Sequence, residues 1–221
     1  YSKTPTLTAT TPTNDTTPDL TVGNIITSSG TGLTANIYSD STCATSKGSA
    51  TSTGTTQAVT SSAVSAGTNP YYADFKDSLG NKSVCSSLFN VVVDTTGPTA
   101  TITSTNTSNP TTQLVIPFTV TFSESVTGFA IGDIGMAGGI TSNFAGSGTT
   151  YTFDFTPTAG TSGTLAIDIP AGGAQDAATN NNTAATQYTK SYYSKTPTLI
   201  ATTPTNDTTP DLTVGNIITS S

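Results

Sequence analysis

Thirteen acidic side chains against six lysines, with no arginine and no histidine, leave this 221-residue chain at a net charge of −7. That balance repels phosphate backbones and anionic lipid headgroups, so nucleic acid is not expected as a partner. Without histidine no Ser-His-Asp or Cys-His set can form, and with Glu124 as the one glutamate a paired-carboxylate hydrolase has little to build on, so no catalytic centre is expected.

The sequence opens on a segment that it later repeats. Tyr1 to Ser29 returns as Tyr193 to Ser221 with a single change, Thr8 to Ile200, which sets a period of 192 residues. Copying this faithful marks one unit of a tandem array, with residues 193–221 as the start of the next repeat. Only 9% of residues are charged, and Thr, Ser, Gly and Asn fill the space between regularly spaced aromatic and β-branched residues. Such spacing separates the chain from disordered polar sequences and points to an extracellular, β-rich protein. No run approaches about 18 apolar residues and no positively flanked apolar leader is present, so neither a membrane span nor a signal peptide is expected within it.

Period-two alternation bounded by Gly, Pro, Asn and Asp recurs along the first part, predicting strands near Thr6–Thr10, Asp19–Ile25, Leu33–Tyr38, Gln57–Val64, Tyr71–Phe75 and Leu88–Val93. Leu33, Ala35 and Ile37 share one face of their strand, as do Tyr71, Ala73 and Phe75. Between these strands lie the two cysteines, Cys43 and Cys85, 42 residues apart. A disulfide is the leading reading, ahead of two buried free thiols, because a zinc site wants about four Cys or His ligands. The bridge would imply an oxidising compartment.

A linker is expected at Asp94-Thr95-Thr96-Gly97-Pro98, with Asp94, Gly97 and Pro98 forming a short joint stiffened by the fixed φ of proline. It divides a domain over 1–94 from a second over 95–192. In the latter, Thr99–Thr103 reads as a strand, and Leu114, Ile116, Phe118, Val120 and Phe122 form one apolar face. Tyr151, Phe153 and Phe155 form another, and Leu165, Ile167 and Ile169 a third. Amphipathic strands of this kind need a facing layer, and a two-sheet sandwich supplies it. Pro117 cannot donate to a ladder, so its strand is expected at an edge or with a bulge there. The fold class is therefore all-β, with two sandwiches in each period.

Two loops offer oxygen ligands, Asp77-Ser78-Leu79-Gly80-Asn81 and Asp176-Ala177-Ala178-Thr179-Asn180. They read first as tight turns, in which Asp caps backbone N–H groups and Gly or Asn takes positive φ, and second as structural Ca²⁺ loops that would stiffen an array. No cofactor is required. For an intramolecular Lys-to-Asn or Lys-to-Asp bond in the second domain, Lys190 with Glu124 is the pair to check.

These segments carry a family resemblance. With TPTNDTTPDLTVG near its start, then ANIYSD, YYADFKDSLGNKSVCS and a closing FNVVVDTTGP, the first domain resembles the bacterial immunoglobulin-like repeats of large surface proteins and adhesins. The second, with FTVTFSESVTGFAIGDI, GSGTTYTFDFTP and IPAGGAQDAATNNNTAA, is similar to a different bacterial Ig-like type, departing from it at Thr179-Asn180 where Gly-Asn is usual. The resemblance implies tandem Ig-like β-sandwiches in a secreted or cell-surface fibre or adhesin. Their role would be a semi-rigid stalk in adhesion, with neighbouring repeats head to tail as partners and a host or cell-surface ligand beyond them. A self-assembling extracellular filament subunit and a glycan-binding module are the alternatives.

Overall fold

A computed structural model describes residues 3–26 and 32–194, together with the backbone of 198–201 and 212–215. Two compact units emerge. Tyr1–Thr96 with Ala177–Asn180 make the first, and Gly97–Asp176 with Asn181–Ser221 the second.

In the first unit, β1 (Thr6–Thr8), β2 (Asp19–Gly23) and β5 (Gln57–Thr60) form a sheet in the order β1-β2-β5. The facing sheet runs β4-β3-β6-β7, from β4 (Ser46–Thr51), β3 (Thr34–Tyr38), β6 (Gly67–Lys76) and β7 (Phe89–Val93). Every pairing is antiparallel. Alternation places Leu7, Leu20, Val22 and Val59 of one sheet against Ala35, Ile37, Tyr71, Ala73, Phe75, Val91 and Val93 of the other, and these residues form one buried cluster. β4 was not legible as a strand because its polar SKGSAT run has no alternation and lies at the sheet edge. Gly48 within it is dictated by packing, since a Cβ there would run into the carbonyl oxygen of Thr60.

The second unit repeats the two-layer plan with other strands. β8 (Ala100–Ser104), β9 (Ile116–Val126) and β11 (Gly139–Pro157) form a sheet in the order β11-β9-β8. β10 (Gly135–Ala137), β12 (Ser162–Asp168) and β13 (Tyr188–Tyr193) form the other, in the order β10-β12-β13. Ile116, Phe118, Val120 and Phe122 alternate inward with Tyr151, Phe153 and Phe155, and across the core they meet Leu165, Ile167 and Ile169. Leu114 does not join that face: it precedes the strand and is 67% exposed.

The expectation for Pro117 also needs correction, because β9 is the central strand of its sheet. Proline is tolerated there because β8 pairs only as far as Ser104 with Phe118, one residue short of it. The Pro117 carbonyl, which points toward β8, accepts instead from the Ser104 hydroxyl at 2.7 Å, so no ladder N–H is missed. The register shift lies elsewhere, on β11 between Gly148 and Thr150.

Finally, β14 (Thr198–Ala201) and β15 (Leu212–Gly215) pair as an antiparallel two-stranded sheet. Thr198 faces Gly215, Leu199 faces Val214 and Ile200 faces Thr213, which is the register of Thr6 with Gly23, Leu7 with Val22 and Thr8 with Thr21 moved on by one period. The rest of the copied segment lies outside the described residues.

Candidate functional site

The chemistry of the first unit is concentrated around the end of β3. There the chain turns through Ser39–Thr45, and the Asp40 carboxylate organises the turn. It accepts from the N–H groups of Thr42 (3.0 Å), Ala44 (3.3 Å) and Thr45 (2.6 Å) and from the Thr42 hydroxyl. The Thr42 hydroxyl first, then the Thr45 N–H, holds this carboxyl well below the usual carboxylate range. The turn sets Cys43 at φ +52°, and its sulfur is joined to Cys85 in a disulfide with the Cα atoms 6.0 Å apart.

Cys85 sits on a segment that serves β6 as a substitute strand. Ser83 and Ser86 donate their N–H groups to the carbonyls of Phe75 and Ala73, and their hydroxyls accept from the N–H groups of the same two residues. Two hydroxyls thus replace ladder carbonyls, so the bridge is anchored to the central sheet rather than to a loose loop.

On the side of that sheet away from the apolar core lies a polar network which periodicity did not reveal. Asp74 is 1% exposed. Its Oδ1 accepts from Asn36 Nδ2 at 2.8 Å and Tyr38 OH at 3.1 Å. Asp74 Oδ2 has no hydrogen bond of good geometry, but Lys82 Nζ stands 3.2 Å away, so its charge is compensated by an ion pair. Lys82 also donates to Tyr38 OH at 3.3 Å and lies 5.3 Å from the centre of the Tyr38 ring. Bonding to Asp74, then to Tyr38, raises the Lys82 pKa, and burial followed by the Asp74 charge raises that of Tyr38. The available signal was Asn36-x-Tyr38 on one strand and Asp74 opposite, polar positions on a face the alternation assigns to solvent. The amine of Lys82 covers the carboxylate, and the network serves as a structural clamp.

The Asp77 loop forms a tight turn. Asp77 Oδ1 accepts from the N–H groups of Leu79 and Asn81, Oδ2 accepts from Asn81 Nδ2, and Gly80 takes φ +92°. In the Asp176–Asn180 loop, Thr179 occupies the left-handed region at φ +70°, where glycine would be unstrained. At the expected joint, the Asp94 N–H donates to Thr13 O and its Oδ1 accepts from the Thr96 N–H, while in the second unit Pro98 O accepts from the Thr183 N–H. Gly97 is half-buried between them in sequence.

In the second unit the buried cation is Lys190, 5% exposed on β13. Its Nζ donates to the backbone oxygen of Asn106 and lies 3.4 Å from Asn106 Oδ1. Asn106 is itself fixed by donating to Thr111 Oγ1 and Gln113 Oε1. Burial lowers the Lys190 pKa. Glu124 belongs to β9 in the other sheet, and the Lys190 amine engages Asn106 in the loop that follows β8. Asn182, 1% exposed, fixes a second loop by accepting from the Ala174 N–H and donating to Pro170 O and Thr183 O. The large apolar side chains exposed among the described residues are aliphatic, such as Leu79, Leu114 and Ile140.

Comparison with known proteins agrees with this geometry for the second unit. Residues 94–193 match the bacterial Ig-like domain family. No curated protein matches the chain. Among solved structures, fibronectin(III)-like modules of Clostridium thermocellum CbhA are similar at 16% identity and a TM-score of 0.39, with 86% of this chain and 94% of that one covered. A biofilm-associated protein BSP domain is similar at 18% identity and a TM-score of 0.32, over 85% of this chain and 29% of that one. The antiparallel two-sheet sandwich of the second unit, with its inward alternation, accords with the similarity of residues 94–193 to bacterial Ig-like domains.

Proposed function

We propose that the chain is a repeat segment of a secreted or cell-surface bacterial fibre or adhesin, where it acts as a semi-rigid stalk. The observation that carries this reading is the 192-residue period, in which 28 of 29 residues return in order after two sandwich-sized segments. Small sandwiches repeated in tandem are a way to gain reach. A disulfide between Cys43 and Cys85 suits an oxidising compartment, and a surface poor in charge and rich in Thr and Ser suits an extracellular protein. The stalk needs no cofactor, and its binding function belongs to a host or cell-surface ligand held at its tip.

The test is to remove or add whole periods in the surface-displayed protein and measure rupture distance by single-cell force spectroscopy. A stalk predicts that reach changes by a fixed increment per period while contact strength stays constant. Contact strength that scales with the number of periods, at unchanged reach, would instead make the repeat a binding module.

A further inference from the structure

The two edges of β6 are closed in different ways. Along one edge, Tyr72 to Lys76 pair with β3. Along the other, β7 covers only Gly67 to Tyr71, and beyond that point the partner is the segment 82–88. That segment donates from the Ser83 N–H to Phe75 O and from the Ser86 N–H to Ala73 O, and the two serine hydroxyls accept from the N–H groups of Phe75 and Ala73.

We infer that residues 82–88 are a strap on the β6 edge, held closed by the Cys43–Cys85 bond and released by reduction while the rest of the first unit stays folded.

Burial gives the strap little hold of its own. Among the described residues, the apolar cluster of the first unit takes none from 77–88. The apolar side chains of the strap face solvent instead, with Val84 53% and Leu88 52% exposed. What remains is the serine pairing and the ion pair of Lys82 with Asp74, in which the lysine side chain is 45% exposed. Hydrogen bonds exchanged with water and half-exposed ion pairs each return less than the conformational freedom lost on ordering a run of linked residues. The disulfide changes that balance by pinning Cys85 to the Cys43 turn, which Asp40 fixes through the N–H groups of Thr42, Ala44 and Thr45. The strap is then ordered from a fixed point. The core that must survive its release, from Leu20 and Val22 to Phe75 and Val91, lies outside it.

Release requires a dithiol reductant. Cys85 is half-buried whereas Cys43 is 6% exposed, so an incoming thiolate meets the Cys85 sulfur first. A bond forms from the reagent to Cys85 as the Cys43–Cys85 bond breaks, and Cys43 leaves as a thiolate that takes up a proton. The second thiol of the reagent then displaces Cys85, so the reagent ends as a disulfide and the two cysteines as thiols. Opening frees the N–H groups of Ala73 and Phe75 at a strand edge and withdraws Lys82 from the Asp74 carboxylate. The inference goes beyond the stalk reading and does not depend on it.

Trypsin can read the strap against the rest of the unit, because the chain has no arginine, Lys82 lies in the strap and Lys47 lies in β4. The full chain is digested briefly under native conditions in its oxidised form and in two bond-free forms. One is reduced with dithiothreitol, blocked with iodoacetamide and freed of both reagents; the other is Cys43→Ser with Cys85→Ser. Cut sites are identified by mass spectrometry. In both bond-free forms cleavage after Lys82 should be at least about tenfold faster than in the oxidised chain, since cutting follows the population of the open segment. Cleavage after Lys47 should stay slow in all of them, and amide exchange at Ala73 and Phe75 should rise with the cut at Lys82. Cleavage after Lys82 that ignores the bond, or resistance there in either bond-free form, overturns the inference. So does joint acceleration at Lys47 and Lys82, which would mean that the whole unit opens rather than the strap.

Discussion

The two units are sandwiches of similar size that secure themselves by different means. The second relies on its rings. Phe118 stacks on Phe153 at 5.3 Å and meets Tyr188 edge-on, while Phe122, Phe129, Phe144 and Tyr151 form a further set of ring contacts. The first buries fewer rings in its core, chiefly Tyr71 and Phe75, and adds a disulfide and a buried carboxylate clamped by a lysine. A domain near 95 residues has a small core for its surface, and either extra apolar area or a covalent staple compensates. The contrast teaches that one tandem period can contain both solutions.

The largest effect should come from the rings. Phe153→Ala removes a side chain only 1% exposed from the centre of the second core, and should destabilise that unit by about 3–5 kcal/mol. Denaturant titration followed through resonances of Phe118 and Tyr188 will measure it, and no comparable shift is expected at Tyr71 or Phe75. Next comes the staple: reducing Cys43–Cys85, which closes a 42-residue separation, should destabilise the first unit by about 4 kcal/mol on chain-entropy grounds. The check is the denaturant midpoint of that unit with and without reductant.

A gain rather than a loss is expected at Thr179. Its left-handed backbone is strained for a β-branched residue, and Thr179→Gly should stabilise the first unit by about 1 kcal/mol, less the greater freedom that glycine has when unfolded. A small rise in midpoint will show it.

The subtlest contrast is one of sign. Lys82 has a raised folded pKa, so its contribution is complete below the unfolded lysine value near 10.4 and is lost as pH rises through the folded one. Tyr38, also raised, favours the unfolded state once free tyrosine ionises near pH 10. The first unit should therefore weaken in alkali. Lys190 has a lowered folded pKa, so its penalty is complete below that value and relieved as pH climbs toward 10.4. The second unit should gain in that window, and Lys190→Met should abolish the gain. Stability measured against pH for each unit checks both signs.

Much of this comparison was legible in the sequence. Strands with one apolar face, such as Leu33–Ile37, Ile116–Phe122 and Leu165–Ile169, follow from alternation alone, because burial of one face is what produces the pattern. Elements without such a face escaped it. β4 is half-exposed throughout, β10 is three exposed residues, the first half of β11 is rich in Gly, Ser and Asn, and β13 carries a lysine at an inward position. The clamp around Asp74 was hidden for a related reason: a charge on the outer face of a strand reads as solvated until the segment carrying Lys82 covers it. The 83–86 segment pairs through serine hydroxyls, and no strand propensity signals that.

The central claim is that a covalent and ionic clamp holds the first unit while an aromatic core holds the second. Hydrogen exchange read by mass spectrometry with and without reductant tests it most directly. On reduction, Thr34–Tyr38 and Tyr71–Lys76 should lose protection while Phe118–Phe122 and Phe153–Phe155 keep theirs. Equal loss in both units, or no loss in either, would contradict the account.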